Sequence, residues 1–488
     1  MLDLPVLSIS ILLPLASALY ITVFISHSKS LRKQVYAMYV AVLSSVLTLI
    51  ATSYLLFSFD TKVEGFQFVE KYSWIKAIGL EYFIGVDGLS LLFVFLTALL
   101  TLICVVASIF TIKKRIKEYL LCFLLLESFC IGTFSSLNLL LFYGFFEVIL
   151  IPMYIIIGVW GGENRVYAAM KFFLYTFFGS VFLLLAIIYI YSQTGTFNMM
   201  ELNIKLPELS LEVQKILWIG MFISFAIKVP MPPFHTWLPD AHVQAPTAGS
   251  VMLAGILLKI GGYAFIRVLL PMLPEASLAF AQYVLWLSAF AIVYGSLVAL
   301  AQTDMKKMIA YSSVAHMGYV TGGIFSFTEK GLAGAVFQMI SHGLVSSALF
   351  LFVGMLYERH HTKEIGKYGG VASSMPLLSS LFMITMLASV GLPGLSGFVG
   401  EFLSIVGMYE ISPIIGVIAA FGVVLGATYM LKLYKQVIFG EVKDPVIAGF
   451  NDLHLYEKLA IIPLVVLIIY IGILPDGVLR IVSIPLTN

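Results

Sequence analysis

Residues 226–242 read AIKVPMPPFHTWLPDAH. Three prolines, Pro230, Pro232 and Pro233, follow Lys228 directly, inside an apolar segment centred near residue 222 that is otherwise built to cross a bilayer. Proline lacks an N–H and cannot continue a helical ladder. Unwound backbone survives at membrane depth only where protein or water satisfies it. A second stretch repeats the theme: residues 388–402 read ASVGLPGLSGFVGEF, with Gly391, Pro393, Gly394 and Gly397 ahead of Glu401. One interruption is ordinary in a membrane helix. Two, each beside an ionisable side chain, point to the ion path of a transporter.

Composition agrees. Hydrophobic residues make up 60% of the 488 and charged residues 11%, against about 25% charged in soluble domains. The net charge of +2 sits at segment ends rather than in a basic patch, which gives no footing for nucleic acid. Cys104, Cys122 and Cys130 lie in apolar stretches with no CxxC and no Cys/His quartet, so neither a thiolate metal site nor a disulfide framework is expected. The opening MLDLPVL has no basic region before its apolar run and reads as the start of a first span rather than a cleaved leader.

A scan for about 20 mostly apolar residues at a time gives 14 candidate spans, the seventh and twelfth broken by Pro and Gly. Alternate connections then hold 18 and 8 of the basic residues, with Lys228 and Lys259 left inside the membrane. By the positive-inside rule the richer set, which includes Lys113, Lys114, Lys306, Lys307 and Lys363, faces the cytoplasm and both termini face outward. The expected fold is an all-α membrane protein of about 14 helices. Its divisions are a three-helix region over 1–112, two inverted five-helix repeats over 113–270 and 271–440 (spans 4–8 and 9–13), and a last helix within 441–488.

Glu127, Glu147, Lys228, Lys259 and Glu401 fall near the middle of spans, and His316 and His342 lie at similar depth. A charge at a helix centre costs roughly 2.5–3.5 kcal/mol, so five unpaired ones would cost about 12–17 kcal/mol. Burial disfavours the charged form of each group, and an opposite charge restores it. A Glu147–Lys228 pair that can be made and broken is therefore a proton switch, and a static packing pair is its plain alternative. Lys259, in AGSVMLAGILLKIGGYAF (248–265), is about ten residues from either end of its span. That is some 15 Å of helix and beyond snorkelling range. His316 (YSSVAHMGYV, 311–320) and His342 (FQMISHGLVSSALF, 337–350) have Ser and Gly neighbours that suit a hydrated file. A satisfied structural histidine and bis-histidine haem ligation are the rival readings. Glu127 is expected beside Glu147, and Asp87, His235, Asp240 and His242 at segment boundaries, with entry-path roles open to the two histidines.

Three stretches carry a family likeness: KVPMPPFHTWLPDAHVQAPTAGSVMLAGILLKIGGY (228–263), AQTDMKKMIAYSSVAHMGYV (301–320) and GLPGLSGFVGEF (391–402). They closely resemble the signatures of the antiporter-like subunits of respiratory complex I, and the likeness runs nearly the full length. The chain is similar also to the large subunits of multisubunit cation/proton antiporters, which share the fold. Within the complex I family it looks like the chain-M type, the equivalent of mitochondrial subunit 4. It ends soon after its last span, and Glu401 stands where chains L and N would carry lysine.

The resemblance implies that Glu147 and Lys228 form the coupled pair, that Lys259 links half-channels, and that Glu401 lies on the exit side. His316 and His342 match the family's hydrophilic axis, while Glu127 has no firm counterpart. It implies further a proton-translocating subunit without a redox site, cofactor or metal of its own, with NADH, FMN, Fe–S clusters and quinone in partner subunits. Chains L and N would flank it in a bacterial plasma membrane. A Na⁺/H⁺ exchanger subunit is the alternative function, and a scaffold with vestigial charges a second rival.

Overall fold

The computed structural model describes residues 4–25 and 31–482. Lys29, counted with the cytoplasmic set, and both chain ends lie outside them. Among the described residues eleven helices are long and apolar enough to cross a membrane, by length and composition. Three more helical stretches stand where spans 7, 10 and 12 are expected: Leu211–Lys228, Met305–Phe325, and the pair Pro376–Val390 and Ser396–Ile411. All three are shorter or more polar than the eleven, for the reasons that single them out in the sequence.

Both interruptions are real breaks. The Leu211–Lys228 helix stops on Lys228, turns occupy residues 229–236, and helix resumes at Trp237–Gln244. In the second, Gly391 takes a left-handed φ of 80°, a conformation that costs other L-residues dearly. Its N–H donates to Ala388 O and that of Leu392 to Leu387 O, which is the Schellman closure of a helix C-terminus. The chain restarts at Ser396 and brings Glu401 into the second turn of the new helix.

Two features were not read from the sequence. The connection after residue 58 contains a hairpin, Gln67–Ile75 paired antiparallel with Leu80–Val86 in the register Tyr72 to Tyr82, so the fold is not purely helical. Its Phe83 carbonyl accepts from the N–H of Leu137, which pins the hairpin to the start of span 5. The Thr247–Met272 helix also contains two π-helical stretches, Leu253–Leu257 and Phe265–Leu269, that bracket Lys259. Single π turns of this kind gather at functional sites.

The chain forms two compact units. The first comprises the described residues up to Lys228 together with Ile256–Phe280, and the second Val229–Gly255 with the described residues from Ala281 on. Each is closed by a backbone clasp of the same design. In the first, Asn138 and Asn198 form an antiparallel bridge, with Leu139 N–H on Phe197 O and Met199 N–H on Leu137 O. In the second, Asp304 bridges Glu364, with Met305 N–H on Lys363 O and Ile365 N–H on Thr303 O. The bridged residues are 60 apart in both. Asn138 and Asp304 also cap the helices that follow them.

The second unit is packed through glycine. A Cβ on Gly334 would meet the Ser404 backbone at 2.4 Å, one on Gly400 the Gln338 backbone at 2.6 Å, and one on Gly407 Gly331 Cα at 2.4 Å. The Glu329–His360 and Ser396–Ile411 helices therefore run backbone to backbone, which sets Glu401 against Gln338.

Candidate functional site

In the first unit, Glu147 occupies the last turn of Leu139–Val148. Helix gives way to a turn at Ile149, three residues before Pro152, whose missing N–H leaves the Val148 carbonyl without its usual donor. Glu147 is half-buried. Lys228 is 3% exposed and lies in the last turn of its helix, where the carbonyl end favours a cation. Its ammonium stands 4.1 Å from the Phe146 ring centroid and 3.5 Å from the Phe146 carbonyl oxygen. Lys228 and Glu147 are near enough to act on each other's charge, with the ammonium seated on Phe146 rather than locked to the carboxylate. Lys259 is completely buried between its two π stretches.

Glu127 is also completely buried. It accepts a long hydrogen bond, 3.5 Å, from Ser45 Oγ of Leu31–Ser58, while its Oε1 has no partner. Its side chain thus meets the second helix.

In the second unit the structure gathers His316, His342 and Glu401 around one cavity, with Gln338 and Ser389. His316 Nδ1 is 2.9 Å from Glu401 Oε1, and Gln338 Nε2 donates to the same oxygen at 3.2 Å. His316 Nε2 lies 3.4 Å from Ser389 Oγ. A proton on Nδ1 satisfies the carboxylate, and Ser389 can donate to a neutral ring or accept from a charged one. Both protonation states are therefore accommodated. Both nitrogens of His316 thus face polar side chains. The His342 ring is 5.5 Å from that of His316, centroid to centroid, and Ser341 Oγ donates to Ser396 Oγ at 2.8 Å.

Gln338 and Ser389 were not expected. For Gln338 a signal existed: Gln338, Ser341, His342, Val345, Ser346 and Leu349 line the cavity at helical spacing, a half-polar stripe on an apolar helix. His235, in the turns just before Trp237, and His242, in the last turn of Trp237–Gln244, stand at element ends as expected, but both are buried in the second unit, with His242 stacked on Phe350 and His235 edge-on to Tyr294. Asp87 caps Gly88–Thr111 and pairs with Arg267, whose guanidinium also lies over the Phe66 ring. Burial raises the Asp87 carboxyl, but the Arg267 charge and the Ser90 hydrogen bonds outweigh it and leave the pKa below the ordinary value. Among the described residues no cluster of three or more His, Cys, Asp or Glu is placed to hold a metal ion.

Comparison with known proteins places this arrangement. The family model described as NADH:quinone oxidoreductase/Mrp antiporter, TM, matches residues 136–426. A curated relative from Rickettsia bellii, NADH-quinone oxidoreductase subunit M, is 64% identical over 488 residues, covering 100% of this chain and 99% of its own. The chain belongs to the subunit M family.

A solved chain of respiratory complex I from Thermus thermophilus superposes on this family member with a TM-score of 0.88 at 31% identity, covering 98% of each chain. A chain of the Mrp complex from Dietzia sp. DQ12-45-1b reaches 0.87 at 21% identity, covering 99% of this chain and 96% of its own, which speaks for the fold alone. Fold does not separate subunit M from antiporter subunits; sequence identity does.

Proposed function

We propose that this subunit M moves protons across a bacterial plasma membrane as part of an NADH:quinone oxidoreductase. Glu147, Lys228 and Lys259 serve in the first unit, and His316, His342 and Glu401 in the second. Glu127 is a lower-ranked relay. The observation that carries the reading is that membrane helices of a subunit M relative bury two sets of titratable side chains, one of them around a polar cavity.

NADH, FMN, Fe–S clusters and quinone are held by partner subunits, the membrane-arm neighbours being chains L and N, and this chain carries no redox site. A charge change arriving from a neighbour acts on Glu147 and Lys228, since two unit charges 4 Å apart interact by ~4 kcal/mol at an effective dielectric of about 20. Loss of the carboxylate's support makes the Lys228 proton easier to release, and Lys259 and Glu401 receive it in turn. Fourteen spans, ten of them in two inverted five-helix repeats, fit the matched breaks and the matched 60-residue clasps.

The test is Glu147→Gln in the assembled oxidoreductase. NADH-driven acidification of inverted vesicles should fall severely, and pumping at the unaltered rate would leave a scaffold. Sodium-dependent proton exchange in vesicles without NADH would favour the antiporter alternative.

A further inference from the structure

The sequence puts Lys306 among the cytoplasmic loop cations, yet it is 3% exposed. It is the second residue of Met305–Phe325. Its ammonium donates to the carbonyl of Ala245 at 2.8 Å and reaches Ser250 Oγ at 3.4 Å. Ala245 is the C-cap of Trp237–Gln244, the second half of the first broken helix. Lys363 holds the same helix end by donating to the Val243 carbonyl. The charged groups that act on Lys306 are Lys363, Asp304 and Glu358. Both of its acceptors are neutral oxygens, so the attraction of a helix C-terminus, joined by that of Asp304 and Glu358, is set against the repulsion of Lys363.

Ser250 makes the site reversible. With Lys306 charged, the ammonium donates to Ala245 O and Ser250 Oγ, while the serine hydroxyl donates to the His242 carbonyl, 3.1 Å away. When the ammonium passes a proton to a water molecule, the neutral amine keeps its bond to Ala245 O. Its lone pair then accepts the Ser250 hydroxyl hydrogen, which swings from the His242 carbonyl. In both states the Lys306 nitrogen keeps its bonds to Ala245 O and Ser250 Oγ. A lysine kept only for anchoring has no use for such a rotor.

We propose that Lys306 is a proton-carrying residue at the cytoplasmic mouth of the second unit, loaded from cytoplasmic water, with Ser250 switching its hydrogen bond as the proton comes and goes. This rests on the proton-pumping reading above. The decisive substitution is Lys306→Arg in the assembled oxidoreductase, which keeps a cation and its donors but holds its proton at any working pH. NADH-driven pumping per assembled complex, normalised to NADH oxidation by an artificial acceptor, should fall roughly ten-fold or more. Ser250→Ala should leave assembly intact and move the pH profile of pumping.

Wild-type pumping in Lys306→Arg would overturn the proposal and make Lys306 an anchor. If the arginine variant does not assemble, Ser250→Ala decides: a shifted profile supports the switch and an unchanged one overturns it. Glu147→Gln run in parallel separates the two claims. Normal pumping there sinks the pump reading itself, whereas a dead Glu147→Gln beside a normal Lys306→Arg sinks only Lys306.

Discussion

Asp87 and Arg267 show how a charge is kept at the edge of an apolar protein. Each is largely buried, at 19% and 16% side-chain exposure, and removing one partner of such a pair strands the other at a cost of about 3–5 kcal/mol. Asp87→Asn should therefore lower the thermal midpoint of the purified protein at pH 7. The folded carboxyl has a depressed pKa, so its contribution is fully present above the unfolded value, ~3.9, and is lost as pH falls through the folded one. The gap between wild type and variant should stay level from pH 7 to about pH 5 and close only in stronger acid. A gap that closed between pH 7 and pH 5 would contradict this assignment.

Among single residues, Glu147, Lys228, Lys259 and Glu401 were legible because a charge in an apolar run is conspicuous. Lys306 and Gln338 were not, for opposite reasons. Lys306 stands in a lysine-rich connection where a loop cation is expected, and burial came from a helix end folding over it. Gln338 is uncharged, and only the helical spacing to His342 marks it.

At the scale of the element, proline and glycine gave both breaks to within a few residues, because backbone chemistry is local. The hairpin and the π stretches escaped for the converse reason. The hairpin is held by pairing to Leu137, far along the chain, and a π turn leaves no composition trace. Gly391 tests the element most directly. Gly391→Ala imposes a left-handed penalty of about 1–2 kcal/mol, and its Cβ would come within 3.0 Å of Glu401 Oε2. The variant should lose that much stability in thermal unfolding and pump less per assembled complex. An unchanged midpoint would mean that the helix end relaxes into another closure.

For the whole molecule, the paired clasps make a quantitative claim. Asn138 accepts from the N–H groups of Leu140 and Leu141, and Asp304 from that of Lys307, each at the foot of a helix in the matching place. If the two halves descend from one unit, Asn138→Ala and Asp304→Ala should each cost about 1 kcal/mol, the usual worth of an N-cap. Chemical denaturation of the two variants measures it, and a large cost for one beside none for the other would argue against equivalent roles.

A machine that conducts protons must also refuse them. The backbone-to-backbone seam between Glu329–His360 and Ser396–Ile411 runs alongside the cavity of His316 and Glu401. With glycine on the facing positions there is no side chain to pry the helices apart and no gap for a chain of water beside Gly334, Gly400 and Gly407. The seam is insulation. By this reading those glycines limit short-circuit current across the energised membrane, and their worth would show in how long a proton gradient persists after NADH is spent.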